Sequence, residues 1–485
     1  MGRNIMRLIN SSVWSIIGSL SEKILTLLTY IIVARSVLPN DLGLFVSVFI
    51  IIELIISLGG FGIIDIIVKT KDLDNKKLSK IKFFSLILSI SVFLFILIII
   101  IPALFLIDNQ GLIFITLAMS VYPAIFCYSS FYVGILQRKF DYKKIAIRKT
   151  ISSLFYGITG ITLALSEFGI WSLVIGRYVL VFTDLYLLKK LNSDIDNVCF
   201  LWDKKEIVGL FSFGWKVSLA ELFTFTTGRV YEIVVVSFFG PASIAILDVG
   251  RKVLSNASKL ILTPLSPVSL SYFASSEEPL NSYNDLSKKI SILLIPLYIL
   301  LFYFSDLIIQ LIFGDKWSQS SDFLKYTAAA AILQPMAWFV PKLYINMDKA
   351  NILLKVNIYN FIFVVSLTFI LIVITNSEFS FMPLIMFITI LSSSVLKLSQ
   401  MCYYLNFPVK TLFASIVRNI SLFLLLYLYL EVINVHVIYV KQYSEIIRLF
   451  SSVTILLLTY YSIVIYINRD LLLVLSRKRH KRKEI

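Results

Sequence analysis

The feature that most constrains this chain is the recurrence of apolar runs long enough to cross a bilayer core of ~30 Å as helices. Ile87 to Ile101 and the near-unbroken Asn360 to Ile374 are two of them. Only 15% of the 485 residues are charged, against roughly 25% in an average soluble protein. That balance excludes an ordinary soluble enzyme and predicts an all-α polytopic membrane protein, because backbone in hydrocarbon must satisfy its own hydrogen bonds. The net charge of +16 would also suit a nucleic-acid binder. Its cations, however, fall in short segments between apolar spans, the pattern that sets membrane topology. No nucleic-acid partner is expected.

Cys127, Cys199 and Cys402 are far apart, and His436 and His480 are the only histidines. No zinc spacing or Cys/His pair results, so neither a metal nor another cofactor is expected. Met1 to Arg7 leads into a first span of about 25 residues, longer than a signal peptide's apolar region, and is expected to be a retained helix.

About fourteen spans are predicted, with approximate limits 12–36, 42–68, 81–107, 112–136, 146–166, 168–188, 211–238, 241–272, 287–313, 322–345, 353–375, 381–405, 412–433 and 446–467. With a cytoplasmic N-terminus, the inner segments hold Lys69, Lys76, Lys82, Arg138, Lys144, Lys149 and Lys189 among others, and a basic tail. The outer segments hold only Lys316 and Lys441. Both termini are therefore expected in the cytoplasm. Every outer loop is short, the longest running from Asn434 to Glu445, which leaves no room for an extracytoplasmic catalytic domain.

The longest inner connection divides the chain into an N-terminal six-helix lobe (1–190), a cytoplasmic linker (191–210), a C-terminal six-helix lobe (211–408), accessory helices 13 and 14 (409–467) and a basic tail (468–485). Trp14 precedes Pro39 by 25 residues and Trp215 precedes Pro241 by 26. Two such units six helices apart insert in the same orientation, which predicts pseudo-symmetric parallel bundles with a substrate site between them.

Ionisable groups at the bilayer centre are costly and should face protein or a wet cavity. At ~1.5 Å per residue, Lys23, Glu53 and Arg177 fall near the midplane. Helix 1 also carries a polar stripe that includes Ser15, Ser19, Glu22, Thr26 and Thr29. Helices 7 and 8 carry Glu221, Arg229, Glu232, Asp248, Arg251, Lys252 and Lys259. An antiparallel hairpin turning at Gly240 would level Glu221 with Lys259, and would bring Arg229 near Asp248 and Glu232 near Arg251. These groups either neutralise one another or serve a ligand, and Lys252 is the cation with no obvious match. Lys23 and Arg177 have Glu22, Glu53 and Asp184 as structural partners, or an anionic substrate. Arg35 is expected to snorkel, and Lys397 and Arg418 to be interfacial. Tyr156, Tyr231 and Trp338 would stack on sugars if they line a cavity. Helices 13 and 14 are either plain lipid-facing packing or a pair guarding a lipid-accessible opening.

Several stretches together resemble a known family: ARSVLPNDLGLF (Ala34 to Phe45), GGFGIID (Gly59 to Asp65), GILQRKFDYKKIAIRK (Gly134 to Lys149), FSFGWKVS (Phe211 to Ser218) and FFGPASIAILDVGRKV (Phe238 to Val253). The chain resembles the oligosaccharide-lipid flippases of bacterial O-antigen and exopolysaccharide synthesis, within the multidrug/oligosaccharide-lipid/polysaccharide exporter superfamily. It departs from the usual turn sequence at Ile246 and Leu247, where an aromatic pair is common. The resemblance implies a two-lobed V-shaped bundle with a central cavity and alternating access. It also implies cavity cations against a lipid pyrophosphate, at Lys23, Arg177, Arg229, Arg251 and Lys252. Glu22, Glu53, Glu221, Glu232 and Asp248 would pair with them or couple ions.

The expected function is translocation of a polyprenyl-pyrophosphate-linked oligosaccharide from the cytoplasmic to the outer leaflet of a bacterial inner membrane, for O-antigen, capsule or exopolysaccharide synthesis. Expected partners are that cargo, membrane lipid, and polysaccharide polymerase and chain-length machinery. Coupling to H+ or Na+ is compatible with the sequence but not required by it. The closest rival is a cation-coupled drug or metabolite exporter of the same superfamily, for which Glu22, Glu53, Glu221 and Glu232 speak. Rivals of another class are a membrane polymerase, ligase or glycosyltransferase, which would need an outer loop or nucleotide motif, and a structural scaffold.

Overall fold

The computed structural model describes residues 2–60, 62–70, 74–106, 109–193, 204–376, 378–438, 451, 453–456 and 458–460. All regular structure among them is helical. The N-terminal half contains α1 (Gly2–Ser36), α2 (Pro39–Gly59), α3 (Ile63–Lys69), α4 (Asn75–Phe95), α5 (Ile101–Phe105), α6 (Gln110–Ala118), α7 (Val121–Arg138), α8 (Tyr142–Leu165) and α9 (Trp171–Leu191). The C-terminal half begins with α10 (Lys204–Ala274), α11 (Pro279–Tyr303) and α12 (Ser305–Phe313). It continues through α13 (Ser320–Ala330), α14 (Gln334–Ala337), α15 (Val340–Asn346), α16 (Ala350–Ile374), α17 (Met382–Leu405) and α18 (Val409–Ile438).

Local chemistry sets several of these boundaries. Pro39 occupies the first turn of α2, and Leu38 before it is extended, the conformation that a following proline favours. Asp74 caps α4 by accepting the Lys77 N–H at 2.8 Å. Arg138, at the end of α7, donates to the Ile67 carbonyl at 2.8 Å and also to that of Thr70, satisfying the open end of α3.

The 71 residues of α10 form two rods meeting at Gly240, whose φ of 79° and ψ of −177° break the helix. Only glycine takes such a φ without strain. The rods fold back on each other, because Arg251 reaches the Gly228 carbonyl at 3.0 Å. The hairpin expected at Gly240 is therefore present.

Eleven stretches among the described residues are long and apolar enough to cross a membrane, rather than the fourteen expected. Three places make the difference. Gly228–Ser266 runs through Gly240 as one stretch. The 24-residue α8 is too polar to qualify, since Lys143, Lys144, Arg148 and Lys149 crowd its start. Span 446–467 lies mostly outside the described residues, as do linker residues 194–203 and the tail 468–485. Apolar side chains such as Ile362, Phe369 and Val373 on α16, and Leu424, Leu425 and Leu428 on α18, point outward. In water they would be a liability; in lipid they are solvated.

One buried apolar cluster runs through both halves, from Tyr30 and Phe45 through Trp317 to Leu430, and a smaller one around Phe131 and Tyr132 stays within the N-terminal half. At α2 the halves meet most closely. A Cβ at Gly43 would overlap the carbonyl oxygen of Pro241, so the helix crosses the Gly240 turn with its backbone in contact.

Candidate functional site

The end of the bundle that carries the Gly240 turn is closed by groups of one half capping the other. Arg35 donates from its Nε to the Ile312 carbonyl at 2.7 Å and also bonds that of Leu311. Lys316 returns two bonds, to the Arg35 carbonyl at 2.6 Å and the Val37 carbonyl at 2.8 Å. Trp317, fully buried, donates its indole N–H to Ala34 at 3.0 Å. Lys316 and Trp317 take up carbonyls at the end of α1, and Arg35 takes up those at the end of α12. Arg35 thus binds across the halves instead of snorkelling.

Deeper in the bundle, four charges form a chain. Glu53 of α2 accepts from Arg229 at 2.6 Å, Arg229 also bonds Glu232 at 3.0 Å, and Glu232 bonds Arg251. Two acids meet two bases, so the chain is neutral, and its Glu53–Arg229 link joins the two halves. Glu232 is wholly buried. The expected approach of Glu232 to Arg251 is seen, whereas Arg229 pairs with Glu53 and Glu232 rather than Asp248.

Asp248 instead receives Lys252 at 2.6 Å and the Tyr30 hydroxyl at 2.7 Å, and the Lys252 ammonium sits 3.5 Å from the centroid of the Tyr30 ring. Lys252 therefore has a partner after all, one turn away on its own helix. The side chain of Glu221, and with it the proposed level with Lys259, lies outside the described residues.

Lys23 and Arg177 take none of the carboxylates expected for them. Lys23 donates to Thr263 at 2.9 Å, again across the halves, while its neighbour Glu22 pairs with Lys149 at 2.8 Å. Arg177 lies between rings, 4.3 Å from the centroid of Phe49 and 5.2 Å from that of Tyr156, with its Nε unpartnered. Cation–π contact supports the guanidinium without cancelling its charge. Asp184 belongs to Arg148 at 2.9 Å. Spacing on one helix had pointed Asp184 at Arg177; packing of α8 on α9 redirected it.

The described residues also include a cavity of about 400 Å³ inside the C-terminal half, lined by Tyr231, Arg251, Lys259, Trp338, Asn360 and Lys397 among others. Tyr231 and Trp338 do line a cavity, and Lys397 lines it too. A second cavity of about 360 Å³, beside Glu22, Lys149 and Asp184, lies within the N-terminal half. Among the described residues no group of three His, Cys, Asp or Glu side chains could hold a metal ion.

A bundle of membrane-crossing helices in two halves, sealed at one end and carrying charges and polar cavities inside, is a membrane transporter rather than an enzyme. The chain belongs to the polysaccharide biosynthesis protein family, whose model matches residues 32–322. It is 21% identical over 335 residues to the succinoglycan biosynthesis transport protein ExoT of Rhizobium meliloti (strain 1021), covering 68% of this chain and 67% of that one. Among solved structures it is similar to the lipid II flippase MurJ in an inward closed conformation, with a TM-score of 0.72 and 16% identity over 95% of this chain and 99% of that one. An inward-facing multidrug resistance MATE family transporter of the MOP superfamily is also similar, with a TM-score of 0.62 and 15% identity over 80% and 93% of the two chains. So is a MOP superfamily transporter from Pyrococcus furiosus, with a TM-score of 0.56 and 15% identity over 81% and 94%. At these identities the structures establish a shared fold.

Proposed function

We propose that this protein flips a polyprenyl-pyrophosphate-linked oligosaccharide from the cytoplasmic to the outer leaflet of the bacterial inner membrane, by alternating access between lobes 1–190 and 211–408. The observation that carries the reading is the contrast between the sealed end and the two charges below it. Arg35, Lys316 and Trp317 tie the lobes together at the Gly240 end. Lys23 and Arg177 lie deeper, and among the described residues neither is within ion-pair distance of a carboxylate. A pyrophosphate supplies the missing anion. With both termini in the cytoplasm, the sealed end faces outward and cargo enters between the lobes from inside.

A sugar headgroup crossing hydrocarbon unaided would lose its hydrogen bonds to water at several kcal/mol for each unsatisfied group. The lobes hold it while the polyprenyl tail stays in lipid. An inside-negative potential itself favours outward movement of the pyrophosphate, by ~2.3 kcal/mol per charge per 100 mV. We assign Arg229, Arg251 and Lys252 to pairing, with Glu53, Glu232 and Asp248 as their counter-charges, and leave Lys23 and Arg177 for cargo. The drug-exporter reading is weaker, because of the acids that speak for it Glu22, Glu53 and Glu232 each already hold a cation, while the side chain of Glu221 lies outside the described residues.

The test is made in spheroplasts of cells lacking the protein. Lipid-linked oligosaccharide should accumulate where an external sugar-oxidising reagent cannot reach it, and restoring the gene should reverse this. Accumulation accessible from outside would point instead to polymerase or ligase action, and no accumulation would favour drug export.

A further inference from the structure

The cavity in the C-terminal half is chemically one-sided. Among the described residues Arg251, Lys259 and Lys397 line it, and no Asp or Glu does. Arg251 is held by Glu232. Lys259 and Lys397 have no ion-pair partner among the described residues. Two uncompensated ammonium groups inside a membrane bundle are unfavourable unless a ligand or water meets them.

A second observation concerns Asn360, which is wholly buried and also lines the cavity. Its Oδ1 accepts from Ser393 at 2.9 Å, while its Nδ2 has no partner. Buried amide donors are seldom left open, and an open one in a cavity wall marks the place of an absent acceptor. The Lys259 and Lys397 ammonium groups and the Asn360 amide are thus three donors of this wall with no partner among the described residues, two of them cationic. Trp338 and Tyr231 add ring surfaces of the kind that pack against the C–H face of a sugar. The volume of about 400 Å³ lies within the usual range of small-ligand pockets.

We propose that this chamber is a subsite for an acidic sugar of the cargo, with Lys259 and Lys397 meeting its carboxylate, Asn360 donating to a neighbouring oxygen and Trp338 packing on the ring. The proposal rests on the flippase reading and adds that the glycan is anionic beyond its pyrophosphate. The two anions are separated in space. Lys23 and Arg177 of the N-terminal half take no part in this lining, and a pyrophosphate attached to a lipid-embedded tail belongs between the lobes rather than within one.

The experiment uses the full-length protein in proteoliposomes, with two polyprenyl-pyrophosphate disaccharides that differ only in ending on glucuronate or on glucose. The wild type should move the glucuronate cargo about tenfold faster or more, the scale of one charge-assisted hydrogen bond. Lys397→Gln should bring the ratio of the two rates to about one, and Lys397→Arg, which keeps the charge, should retain most of it. Equal rates in the wild type would overturn the subsite and leave the flippase reading intact. If Lys397→Gln slowed both cargoes by the same factor, the lysine would serve the shared pyrophosphate and the proposal would fail. Movement of neither cargo by the wild type would overturn both readings together.

Discussion

Trp317 donates its indole N–H to the carbonyl oxygen of Ala34 at 3.0 Å, a bond between residues 283 positions apart that closes one end of the bundle. Beside it Gly43 lies against the Pro241 carbonyl with no room for a Cβ. The proposed alternating access would require this end to open, so both contacts would have to be reversible. Gly43→Leu should force α2 away from the Gly240 turn. In a background without the three native cysteines, Val37→Cys, buried in the sealed state, should then react severalfold faster with a membrane-impermeant maleimide, and export should fall. Unchanged labelling with normal export would mean that this contact is not a gate.

Glu232 serves two arginines that are each about a quarter exposed, at 26% and 28%. Glu232→Gln would leave Arg229 and Arg251 to repel each other beside a single remaining acid. The expected loss is about 1–3 kcal/mol, below the range for fully buried pairs because solvent reaches the guanidinium groups. Thermal unfolding in detergent should show a lowered Tm, and Arg251→Gln added to Glu232→Gln should recover part of it. A double mutant less stable than the single would show that the chain is not held by charge balance.

Lys23→Ala combined with Arg177→Ala should impair export while membrane abundance stays intact, since among the described residues neither cation pairs with a carboxylate. Arg177→Lys should restore export only in part. An ammonium keeps the charge but not the planar stacking between Phe49 and Tyr156. Normal export from the double alanine mutant would remove both residues from the site, and loss of abundance would make their role structural.

Asn419 is wholly buried on α18 and donates to Ser291 at 3.1 Å and to the Ile332 carbonyl at 3.3 Å. It ties α18 to Ser291 of α11 and to the Ile332 carbonyl before α14, and it also accepts from Arg418 at 3.4 Å. Asn419→Ala should cost about 1–3 kcal/mol through the acceptor left open, measured as a lower Tm. The transport rate per folded molecule should be unchanged. A transport defect at normal stability would show that α18 takes part in the cycle.

Much of this protein is written in one dimension. Apolar runs and basic loops define a multi-pass helical membrane protein because the cost of polar backbone in hydrocarbon depends on local composition alone. The hairpin at Gly240 was legible for the same reason, since one glycine before one proline interrupts a long apolar pattern, and antiparallel rods then fix that Glu232 meets Arg251. The number of crossings was less legible: the sequence reads 146–166 as a span, but α8 opens with Lys143, Lys144, Arg148 and Lys149 and is not among the eleven stretches apolar enough to cross.

What the tertiary structure decided is which charge meets which. Glu53 lies 176 positions from Arg229, Lys23 lies 240 from Thr263, and Asp184 turns to Arg148 rather than to Arg177 on its own helix. Sequence spacing reports neighbours along one rod, whereas an ion pair forms wherever two rods bring opposite charges within ~4 Å. Only helix packing could show that, among the described residues, Glu22, Glu53, Glu232, Asp184 and Asp248 each already hold a cation while Lys23, Arg177, Lys259 and Lys397 have no carboxylate within ion-pair distance.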